Sequence, residues 1–290
     1  MLIRQSTIKT YSSCALKVKW AQEGYPREQS SALSFGTVIH DAILHMEKSY
    51  SYQGGLDRFN AIWDNLEAYN QDCEPIQPGE VSLAYDYIMP RNSHVGYSTD
   101  GHKILRDWWS LIQWESDVVL AREYNFTVDV GDHQLTGTLD KLALRPLKDG
   151  GFGVLVSDYK TSRKQPTRDY LRHDIQFHAY CYATTRPEFW VNIENGAELY
   201  ERYMSAPRLA EWVHLRLAKR IDAGERVPVH YTRLAYTIDQ IDKSQKADIW
   251  VPTVTGETCE YCEFRNNCGL PTREEEMGLT IISGNDSWEF

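Results

Sequence analysis

Two acids and a lysine, Asp140, Asp158 and Lys160, lie on two consecutive strand-like segments. The first segment is 133–145, HQLTGTLDKLALR, and the second is 153–160, GVLVSDYK. Between them runs PLKDGGF, a Gly-rich turn of the kind that closes a hairpin. A turn centred near Asp149 places Asp140 opposite Asp158, to within one residue of register. Side chains alternate along a strand, so Lys160 shares a face with Asp158. Adjacent carboxylates repel unless a cation or a proton lies between them. An oxygen-rich pair of this kind suits Mg²⁺ or Mn²⁺, which would polarise a phosphodiester and acidify a bound water. The lysine ammonium would position that water or neutralise developing charge. On spacing alone, a surface hairpin with solvated charges explains these residues equally well, since D-x-K recurs by chance.

A second constellation is Cys259-x-x-Cys262-x5-Cys268, in TCEYCEFRNNCGL. A C-x-x-C pair places two thiolates on one ion or one cluster edge without strain. Three thiolates are one short of a full site, and Cys14, in YSSCALKVKW, is the best fourth ligand. A zinc knuckle with a different fourth ligand is the alternative. Cys73 and Cys181 read as ordinary thiols, Cys181 as a core residue on a helix.

These groups need elements to hold them. Residues 31–49 read as a helix with Phe35, Ile39, Ile43 and Met46 on one face. A second, mostly helical region spans about 56–114, with Phe59, Ile62, Trp63, Leu66, Ile104, Leu105, Trp108 and Trp109. A polar stretch at 71–102 interrupts it, and it is expected to be an insertion that either caps a channel or forms core. Residues 117–130 are a third strand, rich in β-branched and aromatic residues. Helices are expected over about 168–184 and 207–223. The fold class is therefore α/β, with a mixed central sheet flanked by helices and the C-terminal cysteines joined to the N-terminal segment. The expected organisation is one domain over 1–290, an insertion at about 50–115, and a metal module made of residue 14 and residues 259–268.

The 290 residues carry a formal charge of −10, which argues mildly against nucleic acid. A phosphate-binding face needs only local positive charge, and Arg163, Lys164, Arg168 and Arg172 supply it directly after the hairpin. A solvated helix face is the alternative for that run. No apolar stretch approaches the roughly 20 residues of a membrane helix. The opening MLIRQSTIKTYSSC lacks an apolar run of signal-peptide length. The expectation is a cytoplasmic protein with reduced cysteines and no membrane partner.

In order along the chain, Cys14, FGTVIH, GTLD, SDYKT, QFHAY and C-x2-C-x5-C resemble the RecB-like, iron–sulfur branch of the PD-(D/E)XK nucleases. That branch includes CRISPR adaptation nucleases, the AddB nuclease domain and related phage and eukaryotic exonucleases. The resemblance implies a metal site of His40, Asp140, Asp158 and the Tyr159 carbonyl, with Lys160 as the catalytic lysine. It implies that Gln176 and Tyr180, four apart on one helix face, orient the substrate or the lysine. Gly36 would let the His40 helix approach the sheet, and Glu123, in AREYNF, would assist the site. Read without the resemblance, His40 is a core histidine and Gln176 and Tyr180 are helix surface. His45, His94, His102 and His133 receive no role. Cys14, Cys259, Cys262 and Cys268 would hold a [4Fe–4S] cluster, with Zn²⁺ as the alternative. The implied activity is Mg²⁺- or Mn²⁺-dependent hydrolysis of DNA, as single strands or at duplex ends, by an exonuclease from a prokaryote or phage. The implied associations are homo-oligomers and recombination- or CRISPR-type partner proteins. The competing function is a non-catalytic DNA-binding subunit that retains the metal module.

Overall fold

A computed structural model of the chain describes residues 1–25, 31–72, 91–113, 116–253, 259, 262–264 and 268. It divides into two units. One comprises residues 1–5 and 29–236, the other residues 6–28 and 237–290.

The first unit is built on a six-stranded sheet. Its strands are β1 (Leu2–Arg4), β2 (Val118–Val130), β3 (His133–Pro146), β4 (Phe152–Lys160), β5 (Arg208–His214) and β6 (Lys219–Arg226). β3 pairs with antiparallel β2 along one edge. Its other edge is shared between parallel β1 at its start and antiparallel β4 at its end. β4 then pairs in parallel with β5, and β5 pairs antiparallel with β6. The sheet is mixed, as the sequence indicates. The β3–β4 ladder runs from Pro146↔Phe152 to Lys141↔Ser157, so the expected register holds and Asp140 and Asp158 lie one step beyond the last pair. Gly150 and Gly151 turn the hairpin at φ +90° and +77°, a conformation that costs glycine no steric penalty.

Helix α3 (Ser31–Ser49) follows two short N-terminal helices, α1 (Gln5–Ser13) and α2 (Ala15–Gln22). Phe35, Ile39, Ile43 and Met46 of α3 are buried on one face, as their spacing requires. Helices α4 (Tyr52–Asp72) and α5 (Arg91–Ile112) pack on that face through Phe59, Ile62, Trp63, Ile104, Leu105 and Trp108. The same cluster includes Tyr159 of β4 and Val213 of β5. The described parts of this region are therefore core that presses α3 onto the sheet. Burying one such large apolar side chain contributes about 1.5–3 kcal/mol.

Three expectations fail in instructive ways. Residues 91–102, read as an interruption, are the first half of α5, a long helix on which Thr99, His102, Lys103 and Arg106 are exposed. The helix read over 168–184 is two helices, α6 (Arg168–His173) and α7 (Ile175–Ala183). They break at Asp174, whose side chain caps α7 by accepting from the Gln176 amide at 2.9 Å. The helix read over 207–223 is the β5–β6 hairpin. β5 is buried on both faces, so its apolar run carries no alternation to distinguish a strand from a buried helix. Cys73, residues 73–90, the Leu66 and His94 side chains and the tail after Leu270 lie outside the described residues and side chains.

The second unit brings N- and C-terminal segments together. Tyr11 packs on Trp250, with ring centroids 6.4 Å apart, and its hydroxyl lies 2.9 Å from Ser244 Oγ. Lys17 pairs with Glu263 at 3.1 Å, and Trp20 packs on Phe264 at 5.7 Å. No described helix is long and apolar enough to cross a membrane.

Candidate active site

β3 and β4 deliver Asp140 and Asp158 to the same end of the sheet, and α3 brings His40 to meet them. Gly36, one turn before His40, makes this approach possible. A Cβ there would stand 3.3 Å from Thr161 Oγ1, in the segment directly after β4. His40 Nε2 is 3.0 Å from the Tyr159 carbonyl oxygen. Its Nδ1 lies 3.7 Å from Asp140 Oδ1 and 3.5 Å from Glu123 Oε1. His40, Glu123 and Asp140 each offer a ligand atom, and these atoms all lie within 4.8 Å of one another.

Glu123 reaches this group through unusual backbone. It sits in β2 at φ +44°, left-handed backbone that an ordinary side chain adopts at a cost of about 1–2 kcal/mol. From sequence alone this residue has only an assisting role. Its strand pairs with β3 on either side of Asp140, through Arg122↔Lys141 and Tyr124↔Leu139. That register is the signal that would have found it.

Two carboxylates, an imidazole and a peptide carbonyl form an oxygen-rich donor set, which fits a hard divalent cation. Without one, the two carboxylates act on His40. Burial disfavours its charged form, but Asp140 and Glu123 outweigh that effect and raise its pKa. Asp140 is held from behind by the Tyr159 amide, which donates to its Oδ2 at 2.5 Å.

Asp158 joins a different set. Its Oδ1 accepts from Lys160 Nζ and from Gln176 Nε2, both at 2.7 Å. Burial works against the lysine charge, but Asp158 and Asp140 more than compensate, so the Lys160 pKa is raised and the ammonium persists. Gln176 also donates to the Tyr180 hydroxyl at 2.9 Å, and that hydroxyl donates to the Thr138 carbonyl at 2.9 Å. Gln176 and Tyr180 are buried, so they are not helix surface. Burial, reinforced by Asp158 and Asp140, pushes the Tyr180 pKa well up and keeps it a phenol donor.

Behind the site, a polar chain absent from the sequence analysis supports Tyr159. Trp108 donates to Glu47 Oε1 at 2.8 Å, Glu47 pairs with Arg122, and Arg122 donates to the Tyr159 hydroxyl at 3.3 Å. The basic residues Arg163, Lys164, Arg168 and Arg172 are exposed on the segment and short helix that follow Lys160. Thr167 starts that helix by accepting from the Tyr170 amide at 3.1 Å.

Cys14, Cys259, Cys262 and Cys268 all belong to the second unit. Cys14 is buried at the N-terminus of α2, and its Sγ accepts from the Thr253 amide at 3.5 Å. Burial raises the pKa of Cys262. Cys259, Cys262 and Cys268 are half-buried. Thiols are soft donors of the kind that suit an iron–sulfur cluster or zinc, but among the described residues these four do not gather into a metal-binding group. Cys181 is buried and its thiol is pushed up to about 12, which makes it inert at neutral pH.

The family model described as the PD-(D/E)XK nuclease superfamily matches residues 4–269 of this chain. No curated protein matches it significantly. Among solved structures, it is similar to a candidate exonuclease from Eubacterium rectale, with 12% identity, a TM-score of 0.48, and coverage of 98% of this chain and 94% of that one. The protein SSO0001 is similar at 12% identity and a TM-score of 0.36, over 92% of this chain and 85% of that one.

Proposed function

Because this chain belongs to the PD-(D/E)XK nuclease superfamily, we propose that it is a divalent-metal-dependent deoxyribonuclease acting as an exonuclease. The observation that carries this reading is the convergence of His40, Glu123 and Asp140 beside the Lys160–Asp158–Gln176 set. His40, Glu123, Asp140, Asp158 and the Tyr159 carbonyl would hold Mg²⁺ or Mn²⁺. When bound, such an ion polarises a phosphodiester and acidifies a water ligand.

The chain's own groups supply the rest. Lys160, kept charged by the acids around it, neutralises negative charge as it grows on the phosphate. Gln176 fixes Asp158 and thereby the position of the lysine head group. Tyr180 and the α7 cap lock Gln176 in place. Arg163, Lys164, Arg168 and Arg172 draw in the DNA backbone despite the acidic total. Cys14, Cys259, Cys262 and Cys268 would hold a structural [4Fe–4S] cluster, as in the RecB-like branch, with zinc as the alternative occupant. The exonuclease mode and the DNA substrate follow from the same resemblance.

The test is cleavage of end-labelled linear and circular DNA, single- and double-stranded, by anaerobically purified protein with Mg²⁺, Mn²⁺ or EDTA. Metal-dependent cleavage of linear DNA is expected, lost in Asp158→Ala and Lys160→Ala while DNA binding survives. Retained cleavage in either variant removes the hairpin from the site. Iron-replete wild-type protein that cuts nothing favours the non-catalytic DNA-binding subunit.

A further inference from the structure

Beside Lys160 the sheet holds a histidine that the site has not used. His214 is the last residue of β5 and pairs in register with Lys160 of β4. Paired neighbours point to the same face, so His214 lies on the face that carries Asp158 and Lys160. It is 1% exposed. Neither ring nitrogen meets a hydrogen-bond partner among the described residues. The ring stands edge-on to Trp212, with centroids 5.2 Å apart and planes at 87°. That packing satisfies its apolar surface and leaves both nitrogens without a well-formed hydrogen bond. A neutral imidazole has one donor and one acceptor to place, and leaving a buried polar atom unmade costs about 1–3 kcal/mol. Such a group calls for a use that offsets its cost.

The backbone of Arg163 lies within reach of this ring, in a geometry short of a well-formed hydrogen bond. Arg163 stands in the middle of the segment 161–167, which leaves β4 directly after Lys160. Both ends of that segment are tied down. Arg216 Nε donates to the Thr161 carbonyl at 2.6 Å, and Thr167 caps α6. Its centre presents Arg163 and Lys164 to solvent.

We propose that His214 is a positioning residue for substrate, which donates to the Arg163 backbone carbonyl when the segment settles on a DNA strand and so aims Arg163 and Lys164 at its phosphates. The proposal rests on the deoxyribonuclease reading. It explains why a polar ring is buried where an apolar one would pack as well. The bond to Arg163 is loose in the free protein, and the phosphates supply the pull that tightens it.

The experiment compares full-length wild type, His214→Phe and His214→Gln. Fluorescence anisotropy gives the Kd for a labelled single-stranded oligonucleotide in EDTA across a salt series, and steady-state cleavage gives kcat and KM. Phenylalanine keeps the contact with Trp212 and removes both nitrogens, while glutamine restores an N–H donor. For His214→Phe the expected result is a Kd about ten-fold higher at low salt and an unchanged kcat. The slope of log Kd against log salt should fall by about one to two, as two cations disengage. His214→Gln should recover most of the affinity. If phenylalanine does not fold, His214→Leu, which also lacks any side-chain N–H, must show the same loss. In Arg163→Ala/Lys164→Ala protein, adding His214→Phe or His214→Leu should change neither Kd nor slope further. Wild-type Kd and slope in His214→Phe, or an additive loss in the triple variant, overturn the proposal. Wild-type protein that binds no oligonucleotide overturns the deoxyribonuclease reading and this proposal with it.

Discussion

Gln176→Met would remove one amide and leave its volume nearly unchanged. The structure sets what that amide does. Asp158 is buried, and one of its oxygens accepts from both Lys160 and Gln176 at 2.7 Å. A hydrogen bond to a buried charge contributes about 1.5–3 kcal/mol, and the neutral bond from Gln176 to Tyr180 about 0.5–1.5 kcal/mol. Methionine fills similar space, so little cavity cost is added. The expected loss is about 2–4 kcal/mol. Tyr180→Phe removes only neutral bonds and should cost about 1 kcal/mol. Urea unfolding of wild type, both single variants and the double variant provides the assay. The double variant should fall short of the sum by about 1 kcal/mol, because both changes delete the shared Gln176–Tyr180 bond. Cleavage should drop in Gln176→Met more than in Tyr180→Phe, since only the former loosens Asp158. Stability of Gln176→Met within 0.5 kcal/mol of wild type, or equal to that of Tyr180→Phe, would refute the charge-assisted bond.

Glu123→Gln should weaken metal binding about 10- to 100-fold, so the rise in unfolding temperature that saturating Mn²⁺ gives wild type should shrink. An undiminished rise would take Glu123 out of the pocket. His178 is buried, accepts from Arg226 at 3.2 Å, and has its pKa pushed down to about 3 by burial and then by that guanidinium. Its neutral form stabilises the fold above about pH 6.5, and that stability is lost as pH falls toward the folded value. Between pH 6.5 and 5 the loss is about 2 kcal/mol, so the stability gap between wild type and His178→Gln should narrow by that amount. Denaturant titrations at the two pH values that show a constant gap would contradict this. Cys262→Ala should lose iron and solubility together, and elemental analysis showing a wild-type iron content would remove Cys262 from the cluster.

Local pattern was enough to locate much of this protein. Helix α3, the three long strands and the β3–β4 register follow from periodicity and one Gly-rich turn, because each depends on residues close in sequence. The pairing of Asp140 and Asp158 near Lys160 follows from that register.

Other features depend on contacts between distant segments. β5 is buried on both faces, so neither its strand character nor the use of His214 shows in a linear pattern. Glu123 enters the acidic group only because β2 lies against β3 and because its backbone turns left-handed there. The division of labour between the two aspartates is also tertiary. The Tyr159 amide and His40 draw Asp140 one way, while Gln176, set by the α7 cap, draws Asp158 the other. Sequence spacing brings carboxylates to the same end of a sheet. Which cation or donor each one meets is decided by the helices packed against it, and those arrive from more than a hundred residues away in the case of His40.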